Sequence, residues 1–221
     1  MPYQYVRSLN LYREVATGRF VAKETVMGYV MQVISAGDNK GYSIATLYST
    51  GQLSADDYGR VLKQSLKETY LQQYMLGRGG KGEMTQKDYG ALGYMLRVRY
   101  QEINNYVAEI KQREDSGIPY TLDYLSNRNR LYYESSRQAY ERGNSEAYGL
   151  PLLPAYPADG STLCVSGCRC FWRIEKVAGG FDCFWEIVPG KNCKTCLDRN
   201  RLWYPLQVRD GIFVNFVDVR K

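Results

Sequence analysis

The chain has 221 residues, with 29 Lys and Arg against 23 Asp and Glu, and it contains no histidine. Apolar residues at 44% and charged residues at 24% match ordinary globular proteins and exclude wholesale disorder, a collagen-like chain and a mucin-like chain. Without imidazole there is no Ser-His-Asp or Cys-His catalysis, and any metal must be held by thiolates or carboxylates.

The formal charge of +6 is dispersed, with no Lys/Arg block to mark a dedicated nucleic-acid binder. No run reaches the roughly 18 consecutive apolar residues of a membrane span. Met1 to Arg7 lacks an apolar signal core, which argues against Sec export.

Residues 22–143 read as helices. The first runs from about Ala22 to Leu47, with an interruption expected at Gly37-Asp38-Asn39. The second opens with Ser54-Ala55-Asp56-Asp57, a capping-box pattern, and carries Tyr58, Val61, Leu62, Leu66, Tyr70 and Met75 at a 3–4 period. Gly77-Arg78-Gly79-Gly80-Lys81-Gly82 ends it. A phosphate-cradling loop would follow a strand and place Ser or Thr after Gly-Lys, so this segment reads as a flexible helix–helix connection.

The third helix starts at Thr85 with Asp88 three residues on, and Leu92, Met95, Leu96, Ile103, Tyr106, Val107 and Ile110 form its apolar stripe. Gly117-Ile118-Pro119 separates it from a fourth helix, Leu122 to Arg142, which is polar on most faces. Tyrosine is over-used, 21 of 221, and many tyrosines fall on these helices. A ring that buries while its hydroxyl stays wet suits protein–protein surfaces, with semi-buried packing as the alternative.

Residues 146–163 form a connector in which Pro151, Pro154 and Pro157 enforce an extended path. Beyond it the pattern turns to strands. Cys170 to Val177 and Phe181 to Val188 flank a Gly-Gly turn, and Leu206 to Arg209 and Ile212 to Val217 flank Asp210-Gly211, a strong hairpin signal.

All six cysteines lie between positions 164 and 196. Cys164, Cys168 and Cys170 precede the first hairpin, and Cys193-Lys194-Thr195-Cys196 follows it. Paired sulfurs from two segments brought together by a hairpin suit a tetrahedral four-thiolate zinc, as in a zinc ribbon. Five candidates compete for four places, so either Cys168 or Cys170 is a ligand while the other packs. Cys183, mid-strand, reads as a small buried apolar residue. Disulfides and free thiols remain alternatives, as does an iron–sulfur cluster on ligand type alone. A redox Cys-x-x-Cys would open a helix after a strand, which is not expected here. No carboxylate pair stands out as an acid–base couple.

Pro154-Ala155-Tyr156-Pro157-Ala158-Asp159-Gly160-Ser161-Thr162-Leu163-Cys164, then Gly167-Cys168-Arg169-Cys170-Phe171-Trp172-Arg173-Ile174, resembles the C-terminal pattern of tailed-phage minor head proteins. These belong to the broad head-morphogenesis class related to the phage Mu F protein. Cys193-Lys194-Thr195-Cys196-Leu197-Asp198-Arg199 and Trp203-Tyr204-Pro205-Leu206 are similar too, although many members place the Cys-x-x-Cys pair before the Cys-Arg-Cys element. Upstream, Thr17-Gly18-Arg19-Phe20-Val21 and Arg128-Asn129-Arg130-Leu131-Tyr132 share the likeness.

The resemblance implies a non-enzymatic virion protein, made in the host cytoplasm and placed in the phage head among capsid or portal proteins and copies of itself. The expected fold is α+β: a helical body over 1–145, the connector, and a small antiparallel β module over 164–221 carrying the zinc cluster. A zinc-ribbon nucleic-acid-binding protein is the second reading, an unrecognised enzyme the third. DNA contact inside the head stays open, and no membrane partner is expected.

Overall fold

The computed structural model describes residues 1–6, 8, 9, 11–190 and 192–219. The N-terminus forms a small antiparallel sheet that the sequence reading passed over: β1 (Tyr3–Val6), β2 (Leu11–Glu14) and β3 (Phe20–Val21). Tyr5 and Tyr12 face each other across β1 and β2 with ring centroids 5.1 Å apart. Both bury their rings in a cluster with Val26, Val30, Ile34, Leu76 and Tyr140.

The first helix, α1 (Lys23–Ser49), is continuous, so the interruption expected at residues 37–39 does not occur. Gly37 and Gly41 are contact notches instead. A methyl group on either would lie 2.5 or 2.6 Å from the Tyr133 ring, which fills the space both leave. Beside them Asn129 donates from Nδ2 to the Gly41 carbonyl (2.8 Å) and accepts from the Tyr58 hydroxyl (2.7 Å).

α2 (Ala55–Arg78) starts at the expected cap, with Ser54 Oγ accepting from the Asp57 amide, but the Asp57 carboxylate takes the Ser54 hydroxyl and the box is only half formed; the helix runs past Gly77 and ends at Gly79 in the left-handed conformation, φ 96°. α3 (Gln86–Asp115) begins with the full reciprocal capping box of Thr85 and Asp88.

The helix read as Leu122 to Arg142 is two helices, α4 (Leu122–Glu134) and α5 (Arg137–Ala147). The hydroxyls of Ser135 and Ser136 bond back to the carbonyls of Tyr132 and Tyr133, each at 2.6 Å, and so compete with the helical ladder where it breaks. α5 crosses α2 closely. A methyl on Gly77 would sit 2.2 Å from the Tyr140 carbonyl oxygen, and one on Gly143 would sit 2.5 Å from that of Tyr74.

Eleven tyrosines are buried, most with their hydroxyls spent on interior partners. Tyr70 bonds Ser135, Tyr133 bonds Ser65, and Tyr156 bonds Ser145. At these positions packing, not an outer surface, explains the residue. Tyr89, Tyr94 and Tyr124 are exposed.

The C-terminal sheet is antiparallel in the order β4 (Phe171–Val177), β5 (Gly180–Glu186), β6 (Leu206–Arg209), β7 (Ile212–Phe213). Asp210 and Gly211 both take positive φ, 49° and 76°, which matches the twist of a two-residue hairpin. β7 is two residues long, shorter than the strand expected to Val217. Trp172 and Trp185 are cross-strand partners, and with Trp203 they form a buried aromatic core with centroids 5.2–5.9 Å apart.

The prolines keep residues 148–163 free of regular structure, and this stretch packs on its own chain. Leu150, Leu153, Ala155, Tyr156 and Ala158 share the tryptophan core, and Trp172 donates its indole N–H to the Ala155 carbonyl at 2.9 Å. Among the described residues no helix is long and apolar enough to cross a membrane.

Candidate metal centre

The five cysteines arrive from three short pieces of backbone. Cys164 and Cys168 bracket a single 3₁₀ turn, Val165–Gly167, and Cys170 immediately precedes β4. Within that turn Val165 holds φ at 49°, a left-handed conformation that a β-branched residue adopts at a cost of about 1–3 kcal/mol. The turn tolerates this while folding two thiols toward one side.

Cys193 is the N-cap of α6 (Lys194–Leu202), and Cys196 lies in its first turn. The Cys-x-x-Cys therefore opens a helix after a strand, contrary to expectation. The surrounding sheet is wholly antiparallel, so the parallel βαβ setting of a thioredoxin-like site is absent among the described residues.

α6 is anchored through Arg199, which is buried. Its guanidinium donates to Ser161 Oγ and the Ser161 carbonyl (3.1 Å each) and to the Val219 carbonyl (3.2 Å), and lies 5.1 Å from the rings of Trp185 and Trp203. This ties the helix that carries two cysteines to the connector that leads into the other three.

The sulfurs converge. Cys193 lies 3.5 Å from Cys164, Cys164 lies 3.7 Å from Cys196, and Cys196 lies 3.6 Å from Cys168. Two triads, Cys164-Cys193-Cys196 and Cys168-Cys170-Cys196, each gather within 4.8 Å and share Cys196. Cys168 and Cys170 are both buried and both reach Cys196, as a two-residue spacing in extended chain requires. The six cysteines are present as unbridged thiols. Cys183 is remote from the cluster, enclosed in β5, where burial pushes its thiol up to about 12; it packs as expected.

Crowded thiols share few protons. Hydrogen bonds from Cys168 and Cys196 hold Cys170 down at about 4, while Cys196 is raised by its own hydrogen bonds to Cys168 and Cys170. Burial pushes Cys164 up to about 11. For Cys193 burial acts upward but is outweighed by the Cys196 amide and by Cys164, and its thiol is lowered. A dication would favour the thiolate at every ligand position.

The cluster can hold a metal ion. A tetrahedron with metal–sulfur bonds of about 2.3 Å has edges of about 3.8 Å, close to the three distances above.

One charged cluster escaped the sequence reading. Tyr74 donates to Glu146 and, at 3.4 Å, to Asp88. Arg78 pairs with Asp88 at 3.2 Å and Arg142 with Glu146 at 3.1 Å. The carboxylates come from α3 and α5, 58 positions apart, so no local spacing announced them. Each is matched by a guanidinium, which makes a balanced interior network.

No family model, no curated protein and no solved structure matches the chain.

Proposed function

We propose that this chain is a structural component of a tailed-phage head, stapled by one zinc ion on four of Cys164, Cys168, Cys170, Cys193 and Cys196. The observation that supports the staple is the convergence of these five sulfurs in two triads that share Cys196, with contacts of 3.5–3.7 Å. A four-thiolate zinc is coordinatively closed, so what it supplies is a cross-link between the connector and α6, and with it folding free energy.

The head assignment rests on the resemblance of residues 154–206 and is supported by an exposed apolar run at the C-terminus. Ile212 is 69% and Val214 61% exposed, with Phe216 and Val217 beside them, a surface suited to burial in an assembly. Dispersed charge favours this over nucleic-acid binding. Several arginines are spent inside the molecule, Arg78 on Asp88, Arg142 on Glu146 and Arg199 on backbone carbonyls.

Two measurements test the reading. Elemental analysis of protein purified without chelator should find about one zinc per chain, lost in Cys196→Ser, the thiol common to both triads. Mass spectrometry and cross-linking of purified virions should find the chain joined to capsid or portal proteins or to its own copies. Metal-free protein overturns the staple. Absence from virions, together with duplex binding that weakens steeply with salt, would replace the head assignment with the nucleic-acid reading.

A further inference from the structure

We propose that the groove between the first turn of α1, α5 and the start of β4 docks a short acidic segment of a partner protein, one that sets aliphatic side chains beside a carboxylate. The groove has a volume of about 420 Å³. Met27, Met31, Phe171 and Val188 form its apolar walls, and Lys23, Arg137 and Arg169 bring three cations against the single carboxylate of Glu24. A smaller hollow of about 90 Å³ adjoins it, sharing Met31, Arg137 and Arg169 and lined further by Ser166, Cys168 and Glu134.

Arg137 marks the site as built for an anion. It is 6% exposed, yet among the described residues it makes no hydrogen bond or ion pair, and its Nε has no partner. A buried guanidinium left in this way is costly, and a carboxylate fits its donors in a fork. Its compensation at present is electrostatic and comes from Glu141, which is shared with Lys23 and accepts from the Trp172 amide at 3.3 Å.

Lys23 spends one ammonium proton on the Trp172 carbonyl at 3.2 Å and has two left. The first turn of α1 has no side-chain cap, so free amides and the positive end of a 27-residue helix lie at the same edge of the groove.

The occupant follows from complementarity. A purely apolar segment would leave Arg137 unpaired, and a bare phosphate would leave the methionine and Phe171 walls in water.

The probe is a fluorescein-labelled, amidated hexapeptide alternating leucine and aspartate, titrated with the full chain by fluorescence polarisation. Saturable binding is expected. Arg137→Gln and Arg169→Glu should each weaken it at least about tenfold, the scale of a lost charge-assisted hydrogen bond. A serine–aspartate peptide should bind at least about tenfold more weakly, and a leucine–lysine peptide should not bind. Because Arg169 is exposed, Arg169→Glu should keep the wild-type thermal midpoint and so separate docking from folding. Any of four results overturns the proposal: no binding at about 1 mM peptide, affinity indifferent to both arginine substitutions, equal affinity for the serine–aspartate peptide, or saturable binding of decanoate without binding of the peptide.

Discussion

Replacing Gly77 by alanine tests the crossing of α2 and α5 most directly. In an open helix interior Gly→Ala gains about 1 kcal/mol of propensity. At Gly77 the added methyl would lie 2.2 Å from the Tyr140 carbonyl oxygen and 2.7 Å from the Asn144 amide nitrogen, where ordinary contact needs about 3.2 Å or more. Both neighbours are backbone, so no side chain can turn aside and α5 would have to shift by about 1 Å. That helix is pinned by Tyr140 to Tyr12, by Gln138 to Tyr70 and by Ser145 to Tyr156. Overpacking of this kind costs about 1–3 kcal/mol or more. With both contacts on rigid backbone the cost lies at the upper end of that range and outweighs the gain, and we expect a net loss of about 1–2 kcal/mol, a fall in Tm of about 2–8 °C at this chain length. Gly93→Ala is the control, since a methyl there meets nothing within 4 Å; it should gain a fraction of 1 kcal/mol. Urea denaturation of both variants reads the difference. If Gly77→Ala is as stable as Gly93→Ala, the backbone-to-backbone crossing is not as described.

Cys193→Ser should release the metal and raise amide exchange through residues 164–217 while the helices α1 to α3 keep their protection; unchanged exchange in the β module would count against a structural metal. Asp88→Asn tests the interior network. Burial raises the Asp88 carboxyl, but the Thr85 amide and hydroxyl and Arg78 outweigh it, and its pKa falls below the ordinary 3.8. A depressed carboxyl contributes stability above that value and loses it as pH falls through the folded pKa. The variant should be less stable than wild type by about 1–3 kcal/mol at pH 7, and denaturation curves should bring the two together below about pH 4. The chain should also show no DNA cleavage and no ATP turnover with added Mg²⁺ or Zn²⁺. Activity that disappears on replacing one carboxylate would move the enzyme reading to first place.

What the residues disclosed beforehand depended on the range of the interaction. The N-cap at Ser54, the capping box at Thr85 and the Asp210-Gly211 turn are decided within four residues, and each stands where the pattern placed it. Gly37 and Gly77 look like helix breakers locally. Their meaning lies in Tyr133 and α5, which pack against them from far along the chain, and so the first was misread as an interruption and the second as a helix end. The Ser135-Ser136 break was missed for the opposite reason, since two serines look harmless until their hydroxyls turn back to the preceding carbonyls. The N-terminal strands are four, four and two residues long, too short to display alternation. Sulfur clustering was legible because nothing else in the chain competes for that chemistry. The helix under Cys193 was not, because its anchor, Arg199, acts through the connector and the C-terminal carbonyls.

The three tryptophans have a spectroscopic consequence. They are the only ones in the chain, and all lie between positions 172 and 203, touching one another in the β module. The helices before them carry tyrosine alone. Excitation at the red edge of the absorption band therefore illuminates the β module by itself, while ellipticity is dominated by the long helices. A denaturation followed both ways separates the two parts of one chain without any label. Coincident curves would mean that the connector welds them into a single cooperative unit, and an earlier shift in emission would mean that the sheet opens first.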